Sequence, residues 1–84
     1  MFIQAKHFGG AGSTVLNSSD GATSVNGYEV VCLADGDLIS ITMSNVTNPS
    51  KRPLTGYVKG DVVAIGKITA IQVASGIFEV FLNE

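Results

Sequence analysis

The chain reads as an all-β protein: a small single-domain antiparallel β-barrel or sandwich of about six to eight short strands, with no substantial helix. Three observations predict this. Short runs rich in Val, Ile, Thr and Phe alternate with turn dipeptides at fairly regular spacing. Ten glycines punctuate those runs. Nowhere do apolar residues recur at three-and-four spacing over three capped turns, as a helix would need. With 84 residues and no linker to divide them, residues 1–84 are expected to form one β domain.

The elements follow in order. Phe2 to Phe8 is the first apolar run, and the loop GGAGST follows it. Val15 and Leu16 predict a short strand. Asp20-Gly21 marks a turn inside the polar stretch NSSDGATS. Val25 leads into Asn26-Gly27, the strongest two-residue hairpin signal, because both residues accept positive φ. Tyr28 to Ala34 is a strand with Tyr28, Val30, Cys32 and Ala34 on one face and Glu29, Val31 and Leu33 on the other. Asp35-Gly36 predicts a second tight turn. From Leu38 to Val46, alternation puts Ile39, Ile41 and Met43 on one face and Ser40, Thr42 and Ser44 on the other.

The connection TNPSKRPLTG holds both prolines, Pro49 and Pro53. Tyr57 and Val58 predict a short strand closed by a turn at Lys59-Gly60-Asp61. Val62 to Val73 is long for a single strand, and Gly66 near its middle predicts a bulge or sharp bend. Ser75-Gly76 is expected to turn the chain, with Ile77 to Leu82 returning as the last strand. Its apolar residues point both ways: Phe78, Val80 and Leu82 on one side, Ile77 and Phe81 on the other.

Composition sharpens that surplus. Charged residues are 14% of the chain and hydrophobic residues 45%, with a mean hydropathy of +0.36. An ordinary domain carries about 25% charged residues. A domain this short is marginal alone and leans on disulfides, metals or oligomerisation. Cys32 is the only cysteine and His7 the only histidine, which excludes an intrachain disulfide and leaves too few ligands for a metal cluster. Oligomerisation is the remaining device. Ile77, Phe81, Val63 and Ile65 are the candidate oligomer interface, since their strands carry apolar residues on both faces. The net charge of −2, with five Lys and Arg against seven acids, argues against nucleic acid as a partner. No apolar run reaches the roughly 20 residues that span a bilayer as a helix. The N-terminus MFIQAKHFGG lacks the basic and apolar regions of a secretory signal, so the protein is expected to be made in a cytoplasm.

No residue set nominates an enzyme. Closely spaced glycines in FGGAGST suggest an anion cradle, but no Lys-Ser/Thr and no helical pattern follow, so the stretch reads as a glycine loop. His7 lacks a nominated nucleophile and an orienting carboxylate, and reads as a strand or interface histidine. Cys32 sits in an apolar strand, the setting of a small buried hydrophobe and not of a reactive thiolate. Asp35 and Asp37 begin like a calcium loop but lack its later ligands. Lys51, Arg52 and Lys59 make a small basic group without interleaved aromatics. No catalytic, cofactor-binding or metal-binding residue is assigned, and no cofactor is expected.

The stretch KGDVVAIGKITAIQ followed by GIFEVFL, Lys59 to Leu82, resembles the small glycine-rich β proteins of tailed-phage structural modules, head decoration or cement proteins among them. The resemblance covers roughly the last third of the chain. It implies a non-enzymatic virion protein that binds the outer capsid surface, often as a homotrimer, and stabilises neighbouring subunits of the major capsid protein. Phe2, Gln4, Lys51, Arg52 and Pro53, from the first run and the long polar connection, are the candidate coat contacts. The competing expectation is a small OB-like or SH3-like barrel that binds a ligand or nucleic acid, with Tyr28 and Tyr57 as its stacking rings.

Overall fold

A computed structural model describes residues 12–44 and 53–83. The protein is all-β, as expected. Among the described residues its strands are β1 (Ser13–Leu16), β2 (Thr23–Met43) and β3 (Val62–Leu82), with a 3₁₀ turn, Ser18–Asp20, between β1 and β2. They form one antiparallel sheet in the order β1-β3-β2. Among the described residues no helix is long and apolar enough to cross a membrane. The first apolar run, Phe2 to Phe8, lies outside the described residues.

The strand count is where expectation and structure part. Among the described residues three strands replace the six to eight short ones, because β2 and β3 each run through 21 residues without reversing. A straight strand of that length would reach about 70 Å. No dimension of the molecule exceeds 29 Å, so both strands must bend. The bend lets them pair with each other twice. Residues 23–31 of β2 pair with 62–71 of β3, as in Val30↔Ala64 and Thr23↔Ile71. On their other side, residues 27–34 of β2 pair with the end of β3, as in Val30↔Val80 and Cys32↔Phe78. The later part of β2 returns to the middle of β3, as in Ile41↔Ile71 and Met43↔Ile68.

Three expected hairpin turns are therefore corrected. Asn26-Gly27 and Asp35-Gly36 lie inside β2, and Ser75-Gly76 lies inside β3. Both parts of each long strand remain antiparallel to the other, so the chain does not double back at these dipeptides. Glycine serves close approach there. A Cβ on Gly36 would lie 2.1 Å from the Ser75 carbonyl oxygen and 2.7 Å from the Gly76 Cα. A Cβ on Gly76 would lie 2.5 Å from the Ala34 oxygen and 2.8 Å from the Gly36 Cα, and Gly76 has φ +77°. The two strands bend together with their main chains in contact. Gly66 does mark a bulge, as its position predicts: between Glu29↔Ile65 and Gly27↔Ile68, β3 advances three residues against two on β2. Gly66 has φ 146° there.

Bulges also move side chains between faces. Between Leu38↔Val73 and Ser40↔Gln72 the extra residue is on β2. Leu38 is consequently buried and Ile39 exposed, whereas plain alternation puts Ile39 beside Ile41 and Met43. The core gathers Phe78, Ile68, Ile71, Val30, Val73, Val80 and Cys32, all fully buried. Each large apolar side chain among them contributes about 1.5–3 kcal/mol of transfer free energy. Val25, Leu54, Tyr57 and Leu82 pack around the margin.

Residues 53–61 run along β2 as a pinned segment. Gly36 and Tyr57 exchange two main-chain hydrogen bonds of 3.0 and 3.1 Å, forming the isolated bridge where a short strand was expected. The Leu38 N–H donates to the Leu54 carbonyl, and the Cys32 N–H to the Asp61 carbonyl. Carboxylates hold the rest. Asp35 accepts from the Lys59 N–H at 2.8 Å, Asp37 from the Gly56 N–H at 2.9 Å, and Asp61 from the Val58 N–H at 2.9 Å.

Candidate interaction surface

Cross-strand register sorts the sheet into two faces, since paired residues point the same way. One face is core. Thr14, Val80, Val30 and Ala64 form one of its rows, and Leu16, Phe78 and Cys32 the next. The opposite face carries the row Ser13, Phe81, Glu29, Ile65 and the row Val15, Glu79, Val31, Val62. Polar residues ordinarily dominate the water side of such a sheet. Here Ile65 is 67% exposed, Val15 54% and Val62 53%. Ile77, which pairs with Ala34 at the margin of this face, is 38% exposed.

The polar members of the face are tied down. The Ser13 hydroxyl donates to Glu79 Oε2 at 2.6 Å. Glu29 is only 4% exposed although its row also holds Ile65. Sequence reasoning placed Glu29 on this side correctly but carried no signal of its burial. Tyr28 lies against Phe81 with ring centroids 6.4 Å apart, so Phe81 is half-buried.

Of the four expected interface residues, Ile65, Ile77 and Phe81 reach this outer side. Val63 does not. It is buried in the chain's own core, because its neighbour Val62 takes the outward position opposite Val31. Sequence reasoning missed Val15 and Val62, whose exposure depends on a register it could not supply. Of the expected coat contacts, Phe2, Gln4, Lys51 and Arg52 lie outside the described residues, as does His7. Pro53 is exposed, and its carbonyl accepts a hydrogen bond from the Tyr57 hydroxyl.

The remaining candidates resolve into structural roles. The Cys32 thiol is buried and donates to the Ala34 carbonyl at 3.1 Å. Burial is the main cause that pushes its pKa up. Asp35 and Asp37 hold main-chain N–H groups of the 53–61 segment. Among the described residues no group of three or more His, Cys, Asp or Glu is placed to hold a metal ion. Of the glycine stretch FGGAGST only Gly12 to Thr14 are described, and a strand, β1, begins at Ser13 where an anion cradle would place a helix N-terminus. Tyr57 stands edge-on to Phe78 at 6.0 Å and Tyr28 lies against Phe81, so both rings are half-buried.

A second feature was not anticipated. A cavity of about 300 Å³ opens beside the end of β3, lined by Thr14, Thr23, Ser24, Val25, Asn26, Leu82 and Asn83. None of its lining side chains is ionisable.

Comparison with protein-family models, with curated proteins and with solved structures returned no match.

Proposed function

We propose that this chain is a non-enzymatic structural protein that works by covering its apolar outer sheet face against protein, as a homo-oligomer that decorates a larger shell. The face around Val15, Val62 and Ile65 is the observation that carries the reading. A virion role on the outer surface of a capsid, with a trimer as the oligomer and the major capsid protein as partner, rests further on the likeness of Lys59 to Leu82 to phage head decoration proteins. The fold-level part of the proposal is a small barrel. Its support is the double pairing of β2 with β3, the connectivity by which bent strands wrap a common core.

Magnitudes favour a repeated site over a lone tight one. Burying the exposed parts of Val15, Val62 and Ile65 is worth about 3–5 kcal/mol gross at the usual transfer values. Association costs an estimated 4–15 kcal/mol in lost freedom before any net affinity appears. One such patch on one partner is thus weak. A symmetric oligomer that engages several identical sites gains by effective concentration instead. The rival, an OB-like or SH3-like binding barrel, draws on the same double pairing. The assembly reading is preferred because the two tyrosines lean on phenylalanines while the aliphatic face stands open.

The test is co-sedimentation of the purified chain with candidate coat-protein shells. Binding at a fixed number per coat subunit, lost in Ile65→Asp, is the expected result. A chain that never pellets with any shell while binding single-stranded nucleic acid in a salt-sensitive manner would favour the rival.

A further inference from the structure

We infer that the outer sheet face binds a second copy of this chain through two unlike patches, the valine row around Glu79 on one copy and the Val58-Lys59 turn on the next. The inference rests on the assembly reading and names the contact that carries it. Direct register pairs fix the row: Val15↔Glu79, Val31↔Glu79 and Val31↔Val62. Paired residues share a face, so one carboxylate stands among three valines. Glu79 is half-buried there. Its Oε2 accepts from the Ser13 hydroxyl at 2.6 Å, and among the described residues it has no cation beside it. Oε1 is left for a donor that arrives with a partner.

That carboxylate decides what can cover the row. A purely apolar surface laid over it would leave the charge buried without a partner, which is costly. The occupant therefore has to bring a cation together with its apolar atoms. The row laid on itself about a two-fold axis near Glu79 would instead oppose like charges, which suppresses that pairing.

The chain carries the required combination elsewhere. Among the described residues its cations are Lys59 and Lys67. Lys67 is engaged within its own chain and is followed by Ile68, which is buried. Lys59 is exposed and follows Val58, whose side chain is 51% exposed. Among the described residues the Lys59 ammonium forms no ion pair. The main chain beneath it is pinned. The Val58 N–H donates to Asp61, the Lys59 N–H to Asp35, and the Gly60 N–H to the Cys32 carbonyl at 2.8 Å. A turn held in this way loses little backbone freedom on contact.

The two patches lie on opposite sides of β2. The turn bonds to Cys32 along one edge, and Phe78, next to Glu79, pairs with Cys32 along the other. They are separated by about 10 Å, two strand spacings. A contact between two different patches repeats head to tail and can close as a ring, the form a trimer takes.

The test is sedimentation equilibrium on wild type, Glu79→Lys, Lys59→Glu and the double variant that carries both, with urea unfolding to confirm that each is folded. Each single reversal should weaken association at least tenfold, by setting like charges against each other. The double variant restores the pair with its signs exchanged and should return to within about threefold of wild type. A double variant as weak as the singles, or singles that associate like wild type, overturns the proposal. If Glu79→Lys fails to fold, Glu79→Gln keeps an acceptor for the Ser13 hydroxyl and removes the charge. Glu79→Gln and Lys59→Gln should each weaken association severalfold, and the two together no more than one alone; additive losses overturn the proposal. A wild type that assembles and is dissociated by Ile65→Asp, yet ignores the charge changes, refutes this contact and leaves the assembly reading standing. A wild type that stays a single chain refutes both.

Discussion

Replacing Gly36 with alanine tests how the two long strands bend. The new Cβ would sit 2.1 Å from the Ser75 oxygen and 2.5 Å from its carbonyl carbon. Both are main-chain atoms in a paired strand, so neither can swing aside as a side-chain end would. Overpacking ordinarily costs about 1–3 kcal/mol, and a clash with backbone belongs at or above the top of that range. The stability of an 84-residue domain is about 4–13 kcal/mol, so a loss of about 3 kcal/mol is a large fraction of the whole. In a domain of this size it lowers Tm by more than about 12 °C. Gly60→Ala is the control. Gly60 has φ +96°, and a Cβ there would meet nothing within 4 Å, so the change carries only the left-handed backbone penalty of about 1–2 kcal/mol. Urea unfolding at one fixed, low protein concentration keeps association out of the comparison. If Gly36→Ala is as stable as the wild type, or no worse than Gly60→Ala, the strands do not meet main chain to main chain and the account of the bend is wrong.

Other expectations are narrower. Asp35→Ala should free the Lys59 amide, raising its hydrogen-exchange rate and costing about 1 kcal/mol, while Asp35→Asn retains an acceptor oxygen and should exchange more slowly than the alanine variant. Cys32 has its pKa raised in the folded state by burial, so the folded chain holds the thiol proton more tightly than the unfolded chain. Its contribution is therefore intact below the ordinary thiol value of 9.0 and is lost as pH climbs through the raised folded value. Urea midpoints should fall across that alkaline window in the wild type and fall less in Cys32→Ala; equal slopes would discount the thiol. Native protein should also react slowly with a thiol reagent at neutral pH, and fast reaction would contradict its burial.

Much of the architecture was legible because apolar alternation reports which stretches are strands, and the chemistry of turns reports where they change course. The β1 strand at Val15 and Leu16, the bridge at Tyr57 and the bulge at Gly66 were all readable from such local cues. What local cues could not distinguish is a glycine that reverses a chain from one that lets two chains touch. Asn26-Gly27, Asp35-Gly36 and Ser75-Gly76 look like hairpin turns in isolation, and only the contacts of Gly36 with Gly76 and of Gly27 with Val80, between positions far apart in sequence, reveal their use. The outer face was half legible for the same reason. Ile65, Ile77 and Phe81 follow from alternation within their own strands. Val62 replacing Val63, and Val15 joining from β1, require the cross-strand register. The cavity beside Ser24 was invisible, since its lining comes from three separate strands whose register no local cue reports.

Sedimentation equilibrium over a wide concentration range, on wild type and Ile65→Asp, tests most directly whether the outer sheet face is a surface for self-assembly. The account predicts a wild-type mass that rises with concentration to a small whole multiple of 8.7 kDa, and a variant that stays at the single-chain value. A wild-type chain that holds 8.7 kDa at every concentration, indistinguishable from the variant, would contradict it.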